Sequence, residues 1–492
     1  MRILYLDLDA LTPSHLGCYG YHRNTSPTID KLAVQGVRCT NVYASDAPCL
    51  PSRTALYSGR FGIHTGVVGH GGTAAQPKIE GPQRGFRDLF DSQGLARGLQ
   101  KTGHKTAMVS PFGQRHAAWQ FYAGFNEIHN TGKGGMESAE EVTPTVLKWI
   151  EEQGAGEDWY LHVNYWDVHT PYRVPQEYGE PFAGEPLPEW ITDEVIERHG
   201  RKTGPHSAQD IYMYHDREDP AYPRHPGRID DRASLRRMID GYDTAIRYVD
   251  DQIAQILAGL AAQGVLDETL IIISADHGEN MGELGIYGEH ATADQGTCNI
   301  PMIVRLPGGA AGVVDEGLHY NVDLAPTLME VTGGEISPIW DGRSYAGTWQ
   351  EGAQAGRDEL VISQCAHVCQ RSVRFDHWLY VRTFHDGFHL FPREMLFNLI
   401  DDPHEQDDVA ASHADICREG AYRLLDWHQE QMATVSDGVD PLWTVIQEGG
   451  PAHARHEGAN SPLPAYIERL ENTGRSDGAE QLRATYGRFL QG

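Results

Sequence analysis

The feature that most narrows the fold of this chain is an alternation. Short, wholly apolar runs and stretches with helical periodicity follow one another through roughly the first three hundred residues. Residues 3 to 9 form an apolar run with acids near its end, 30 to 36 read as helix ending at a glycine, and 37 to 43 are strand-like. The pattern repeats as helix 95–102 before strand 105–110, and helix 138–153 before the apolar run 159–166. The longest helical pattern spans 233–262, where Leu235, Met238, Ile239, Tyr242, Ile246 and Val249 recur at three and four spacing until Gly264 stops it. A buried strand, 270–274, follows. Such alternation predicts an α/β fold, a large mixed and mostly parallel sheet sandwiched by helices, with ligands beyond the strands' carboxyl ends.

After about residue 345 the pattern shortens. Strand-like pieces at 360–363, 378–383 and 394–398 and a helix at 416–433 predict a smaller C-terminal α+β subdomain, dividing the chain into 1–345 and 346–492. Stretches rich in Gly and Pro at 66–85, 179–230 and 307–317 are too polar for core and are expected to be loops walling a surface site.

Composition excludes several functions. With 40 Lys and Arg against 69 Asp and Glu, the net charge of −29 repels nucleic acid and anionic membranes. No apolar run approaches the roughly 20 residues of a membrane span. The start Met1-Arg2-Ile3-Leu4-Tyr5-Leu6-Asp7 lacks a signal peptide's long apolar region, which points to a cytoplasmic enzyme. Seven scattered cysteines without a C-x-x-C pair suggest neither a disulfide framework nor a structural zinc site.

Chemistry concentrates where apolar runs end. Asp7 and Asp9 share one strand face by their spacing of two, and Asp276-His277-Gly278-Glu279 follows the strand 270–274. Unpaired buried carboxylates are costly, so acids gathered at strand ends call for a cation, and oxygen ligands favour a hard divalent ion. Taken singly, Asp9 as a turn cap and Asp276 as a helix cap remain open readings.

The segment Cys49-Leu50-Pro51-Ser52-Arg53, continued by Ser58-Gly59-Arg60, resembles the signature of the type I sulfatases at every fixed position. The residues 9–11, 15–20, 25–30, 167–172, 275–279 and 396–403 are also similar to that family, so the likeness runs from residue 1 to about 410. It implies an alkaline-phosphatase-like fold, and conversion of Cys49 by a separate formylglycine-generating enzyme to formylglycine. The hydrated aldehyde offers a hydroxyl that attacks sulfur and departs by collapse to the aldehyde. Arg53 would hold that group. The implied metal ligands are Asp9, Cys49 as formylglycine, Asp276 and His277; His169 and His290 would serve the sulfate and the leaving group.

Four departures qualify the likeness. Ala10 stands where many members have a second Asp, and Asp7 is the candidate replacement, the alternative being a structural carboxylate. His277 replaces a common Asn, which leaves calcium the expected ion with manganese as the alternative. Glu289 replaces the lysine that often precedes the motif histidine, and 108–113 lack the family's Gly-Lys-Trp-His, so that Arg115 and His116 are candidates to take over. The expected function is hydrolysis of a small sulfate ester, a sulfated sugar in the first instance. The alternatives are a phosphonate monoester or phosphodiester hydrolase, and a binding protein without catalysis, against which the intact Cys49, Pro51 and Arg53 argue.

Overall fold

In the computed structural model, which describes residues 1–80, 89–455 and 461–490, the alternation becomes two sheets and a small hairpin. The strands of the first half are β1 (Arg2–Leu8), β2 (Val37–Tyr43), β3 (Asp46–Ala47), β4 (Lys105–Val109), β5 (Glu127–His129) and β6 (Trp159–Tyr165). Then come β7 (Thr269–Ser274), β8 (Asn280–Met281), β9 (Tyr287–Glu289), β10 (Asn299–Arg305) and β11 (Val313–Tyr320). The last four are β12 (Glu359–Gln364), β13 (Cys369–Phe375), β14 (Trp378–His385) and β15 (Glu394–Asn398).

The large sheet has the order β11-β2-β10-β7-β1-β6-β4-β5. Only β10 runs against its neighbours, so the sheet is mostly parallel, as the apolar runs predicted. Helices pack in two groups with the sheet between them: Pro27–Val34 and Ala139–Gln153 against Arg232–Ala262, and Cys49–Ser58 against Leu95–Lys101 and Leu324–Thr332. β1 lies between β6 and β7, with Asp7 level with Asn164 on one side and Ser274 on the other. That register brings the carboxyl ends of the three strands to one edge, and with them Asp9, the 166–169 turn and Asp276-His277.

The second sheet, β15-β14-β13-β12-β3, is an antiparallel meander that adds β3 in parallel, immediately ahead of Cys49. The helix Ala414–Met432 covers it. Beyond it, the helices Leu463–Asn472 and Ser476–Tyr486 share a separate apolar cluster with Phe388.

Two loop expectations need correction. The stretch 307–317 runs into β11, an edge strand half exposed along its first residues and therefore polar enough to read as loop. The stretch 179–230 carries the helix Asp193–Gly200, and residues 81–85 of the stretch 66–85 lie outside the described residues. No helix among the described residues is long and apolar enough to cross a membrane, and all seven cysteines are free.

Candidate active site

Cys49 opens the helix Cys49–Ser58, every residue of which is buried. The free amides and the positive end of the helix dipole lie there, a setting that favours anions. At the other end Gly59, at φ +68°, makes the left-handed turn that stops the helix. Arg53, one turn in from Cys49, is thereby aimed under the strand ends.

Arg53 is the hub. Its Nε donates to Asp7 Oδ2 at 2.8 Å, and its Nη1 to Asp9 Oδ2 at 2.9 Å while also lying 2.8 Å from Asp276 Oδ2. The guanidinium stacks on Phe112, 4.2 Å from the ring centre. Three acids against one guanidinium leave two negative charges uncompensated. Asp276 registers the surplus: burial, with Asp9 and Asp7 nearby, pushes its carboxyl well up despite Arg53. For Asp9 burial pulls the same way, but Arg53 and His277 outweigh it and hold the carboxyl below its ordinary value.

Four of the five expected ligands converge. Donor atoms of Asp9, Cys49, Asp276 and His277 lie within 4.8 Å of one another, all on buried residues. Asp9 Oδ1 accepts no hydrogen bond among the described residues, Asp276 Oδ2 meets only the Arg53 guanidinium at 2.8 Å, Asp7 Oδ1 is likewise without a partner, and Cys49 Sγ lies 3.1 Å from His277 Nε2. Orphaned carboxylate oxygens facing an imidazole and a surplus of negative charge fit a divalent cation. As a free thiol Cys49 is pushed well up by burial and by Asp9 and Asp276, so it stays neutral and weakly nucleophilic.

Asp7 stays outside the group. Its Oδ2 takes the bond from Arg53 and another from His162 Nε2 at 3.1 Å, while Tyr57 donates to His162 Nδ1 at 2.6 Å. Burial keeps His162 neutral, so the chain Tyr57, His162, Asp7, Arg53 is consistent in its donors and acceptors. Ala10, where the family often has an acid, takes φ +60°, an uncommon conformation for a residue with a Cβ. Its backbone N–H points to Asp276 Oδ1 at 3.3 Å and its carbonyl accepts from Tyr242.

His169 and His290 adjoin the same group, ring centres 5.0 Å apart: His277 lies 4.2 Å from His290, a ring nitrogen of His290 lies within 4.8 Å of donor atoms of Cys49 and His277, and His169 Nε2 is 4.0 Å from Asp9 Oδ1. Burial lowers both pKa values, His290 to about 4. His169 Nδ1–H donates to Thr170 O, and Arg173, which the sequence reading did not single out, donates to the carbonyls of Trp166 and His169 and so pins this turn. Arg115 lies over Trp166 at 4.8 Å, and its charge reaches Cys49 and His169. His116 packs on Phe112 and faces His70. His206 and His367, both buried, form a further group with the half-buried His70 and His453 that no local motif marked; the 25 histidines in the chain were the available cue.

A mostly parallel sheet flanked by helices, with acids gathered at its strand ends, is the architecture of the alkaline-phosphatase-like hydrolases. The sulfatase family model matches residues 2–334, and the chain belongs to the sulfatase family, whose class is that of the sulfuric ester hydrolases. Among curated relatives, the multifunctional alkaline phosphatase superfamily protein PehA of Trinickia caryophylli is 27% identical over 478 residues, covering 82% of this chain and 89% of that one. The N-acetylglucosamine-6-O-sulfatase of Bacteroides thetaiotaomicron is 22% identical over 406 residues, 70% of each chain. Among solved structures, the phosphonate monoester hydrolase of Agrobacterium radiobacter superposes with a TM-score of 0.66 at 20% identity, covering 87% of this chain and 96% of its own.

Proposed function

We propose that the protein hydrolyses the sulfate ester of a small organic molecule, a sulfated sugar in the first instance, after maturation of Cys49 to formylglycine. The observation that carries this reading is the convergence of Asp9, Cys49, Asp276 and His277 beside Arg53 at the buried helix start. Relatives point the same way towards sugars, one being an N-acetylglucosamine-6-O-sulfatase. The strong negative charge disfavours a long polyanionic substrate.

Asp9, Asp276, His277 and residue 49 would hold a divalent ion, calcium by the majority of oxygen donors, with manganese admitted by the imidazole. When bound, that ion makes a hydroxyl on residue 49 more acidic and draws charge from the ester oxygens. Arg53 favours the ionised form of Asp7 and Asp9 and orients the helix start. His169 and His290 face the ester, where a proton has to reach the leaving oxygen. Asp7, bound by Arg53 and His162, positions Arg53 rather than ligating the ion.

A second reading, phosphonate monoester or phosphodiester hydrolysis, is supported by Ala10 in place of a second acid and by the structural likeness to a phosphonate monoester hydrolase. Matured protein assayed on matched sulfate and phosphonate monoesters separates the two. A kcat/KM at least about tenfold higher on the sulfate is expected; a preference for the phosphonate would replace the first reading with the second.

A further inference from the structure

Next to the Cys49 site lies a second convergence of donors, drawn from three segments outside the Asp9, Cys49, Asp276 and His277 group. His206 comes from the long loop between β6 and the helix Arg232–Ala262, Glu289 closes β9, and His367 sits in the turn between β12 and β13. One donor atom from each lies within 4.8 Å of the other two.

The imidazoles are buried without the partners that burial ordinarily demands. His206 is 1% exposed and His367 4%. Both ring nitrogens of His206, and Nδ1 of His367, have no hydrogen-bond partner among the described residues. Neighbouring rings cover faces rather than nitrogens: His453 stacks on His367 at 4.2 Å and 8°, and His389 on His206 at 5.6 Å and 23°. The loop holds His206 at φ +61°, which costs conformational energy for a residue with a Cβ. A strained backbone that presents an unsatisfied, buried imidazole to a second imidazole and a carboxylate needs a ligand to account for it. Burial also keeps both rings neutral, the form that ligates metals.

We propose that His206, Glu289 and His367 bind a divalent transition-metal ion, zinc in the first instance, separate from the ion at Asp9, Asp276 and His277. Two imidazoles and one carboxylate form a set suited to zinc, whereas calcium takes oxygen ligands. Tetrahedral zinc holds its ligands roughly 3.3 Å apart, so the three donors have to draw inward by up to about 1.5 Å, within reach of side-chain rotation. Three protein ligands leave a fourth position for water or a substrate oxygen. The position adjoins the Cys49 site, because His290 lies 5.6 Å from the ring of His367 and 4.2 Å from that of His277. The proposal concerns metal binding and does not depend on which ester the enzyme cleaves.

The test uses the full chain, stripped with a chelator, saturated with calcium and titrated with zinc, with bound zinc measured by elemental analysis after desalting. Cobalt substitution adds a visible spectrum that reports tetrahedral coordination. Wild type is expected to retain one zinc per chain in excess calcium, and Asp276→Asn to retain the same. Glu289→Gln should weaken zinc about tenfold or more, and the His206→Ala/His367→Ala double variant about 100-fold or more. The isosteric Glu289→Gln carries the test if the double variant fails to fold. The proposal is overturned if wild type takes up no zinc in calcium, if Glu289→Gln binds zinc as tightly as wild type, or if Asp276→Asn loses the same zinc.

Discussion

Arg53 and Arg371 are buried to a similar depth, each against aromatic rings, and each meets carboxylates, but in different proportion. Arg371, on β13, forms a two-pronged pair with Asp440 at 2.7 and 2.8 Å and leans on Trp427. Asp440 also caps the helix Pro441–Gln447, so one acid and one base tie a helix to the second sheet and the charges balance. Arg53 meets three acids, and each keeps an oxygen without a hydrogen-bond partner among the described residues, Asp7 Oδ1, Asp9 Oδ1 and Asp276 Oδ2, although the last lies 2.8 Å from Arg53 Nη1. A balanced buried pair is complete as architecture. A buried surplus of acid is unfinished until a cation arrives, which makes the imbalance, rather than the ion pair itself, the mark of a working site.

The largest effect should come from removing the residue that the surplus surrounds. Cys49→Ala is expected to lower turnover by about 10⁴-fold or more with the circular dichroism spectrum unchanged, since little buried volume is lost. Near-normal turnover would sink the assignment of Cys49.

The acids come next, and they divide the Arg53 cluster internally. Asp9→Asn and Asp276→Asn should each lower metal affinity by about 10³-fold, measured by elemental analysis after dialysis. Asp7→Asn should keep the metal and lose thermal stability instead, because Asp7 is bonded to Arg53 and His162. Loss of metal in Asp7→Asn would return Asp7 to the ligand set.

Asp440→Asn tests the balanced side. Leaving Arg371 buried without its partner should cost about 3 kcal/mol in denaturant unfolding, with metal content unchanged. The pH dependence follows from the same pair. Burial raises the Asp440 carboxyl, but Arg371 and His428 outweigh it and hold the group below its ordinary value. Its stabilisation is therefore present above the unfolded pKa and lost as pH falls towards the folded one, so the gap between wild type and Asp440→Asn should narrow in acid. A gap that widened in acid would contradict the pairing.

The two clusters also differ in how far the sequence discloses them. β1, β6 and β7 were legible because strands buried on both faces read as unbroken apolar runs, and the convergence of Asp9, Cys49, Arg53, Asp276 and His277 because each sits in a short segment that resembles the sulfatase pattern. β13 escaped notice, since Gln370, Arg371 and Arg374 look like surface residues until Asp440 and the strand neighbours are in place. β10 starts with Asn299-Ile300-Pro301, which breaks the strand signal. The helix Leu463–Asn472 does carry an apolar stripe, Leu463, Tyr466, Ile467 and Leu470, at readable spacing. His206, Glu289 and His367 come from three distant loops, and only the tertiary fold joins them.

The smallest effect concerns the histidines that complete the acid-rich side, for which Arg371 has no counterpart. A sugar hydroxyl is a poor leaving group and needs a proton in the transition state, whereas an acidic phenol leaves without one. His169 Nδ1 is committed to Thr170 O, so its Nε2 carries a proton only when the ring is charged. His290 Nδ1 has no hydrogen-bond partner among the described residues and lies 3.8 Å from Glu279, a buried acid that burial holds well above its ordinary carboxyl value and that can share a proton with the ring once an anionic ester is present. His290→Ala should therefore lower kcat on a sugar sulfate by about 10²-fold beyond its effect on an activated aryl sulfate, while His169→Ala lowers both alike. Equal losses on both substrates in both variants would leave these histidines as sulfate contacts only and move the search for the acid to Arg115, His116 and their neighbours.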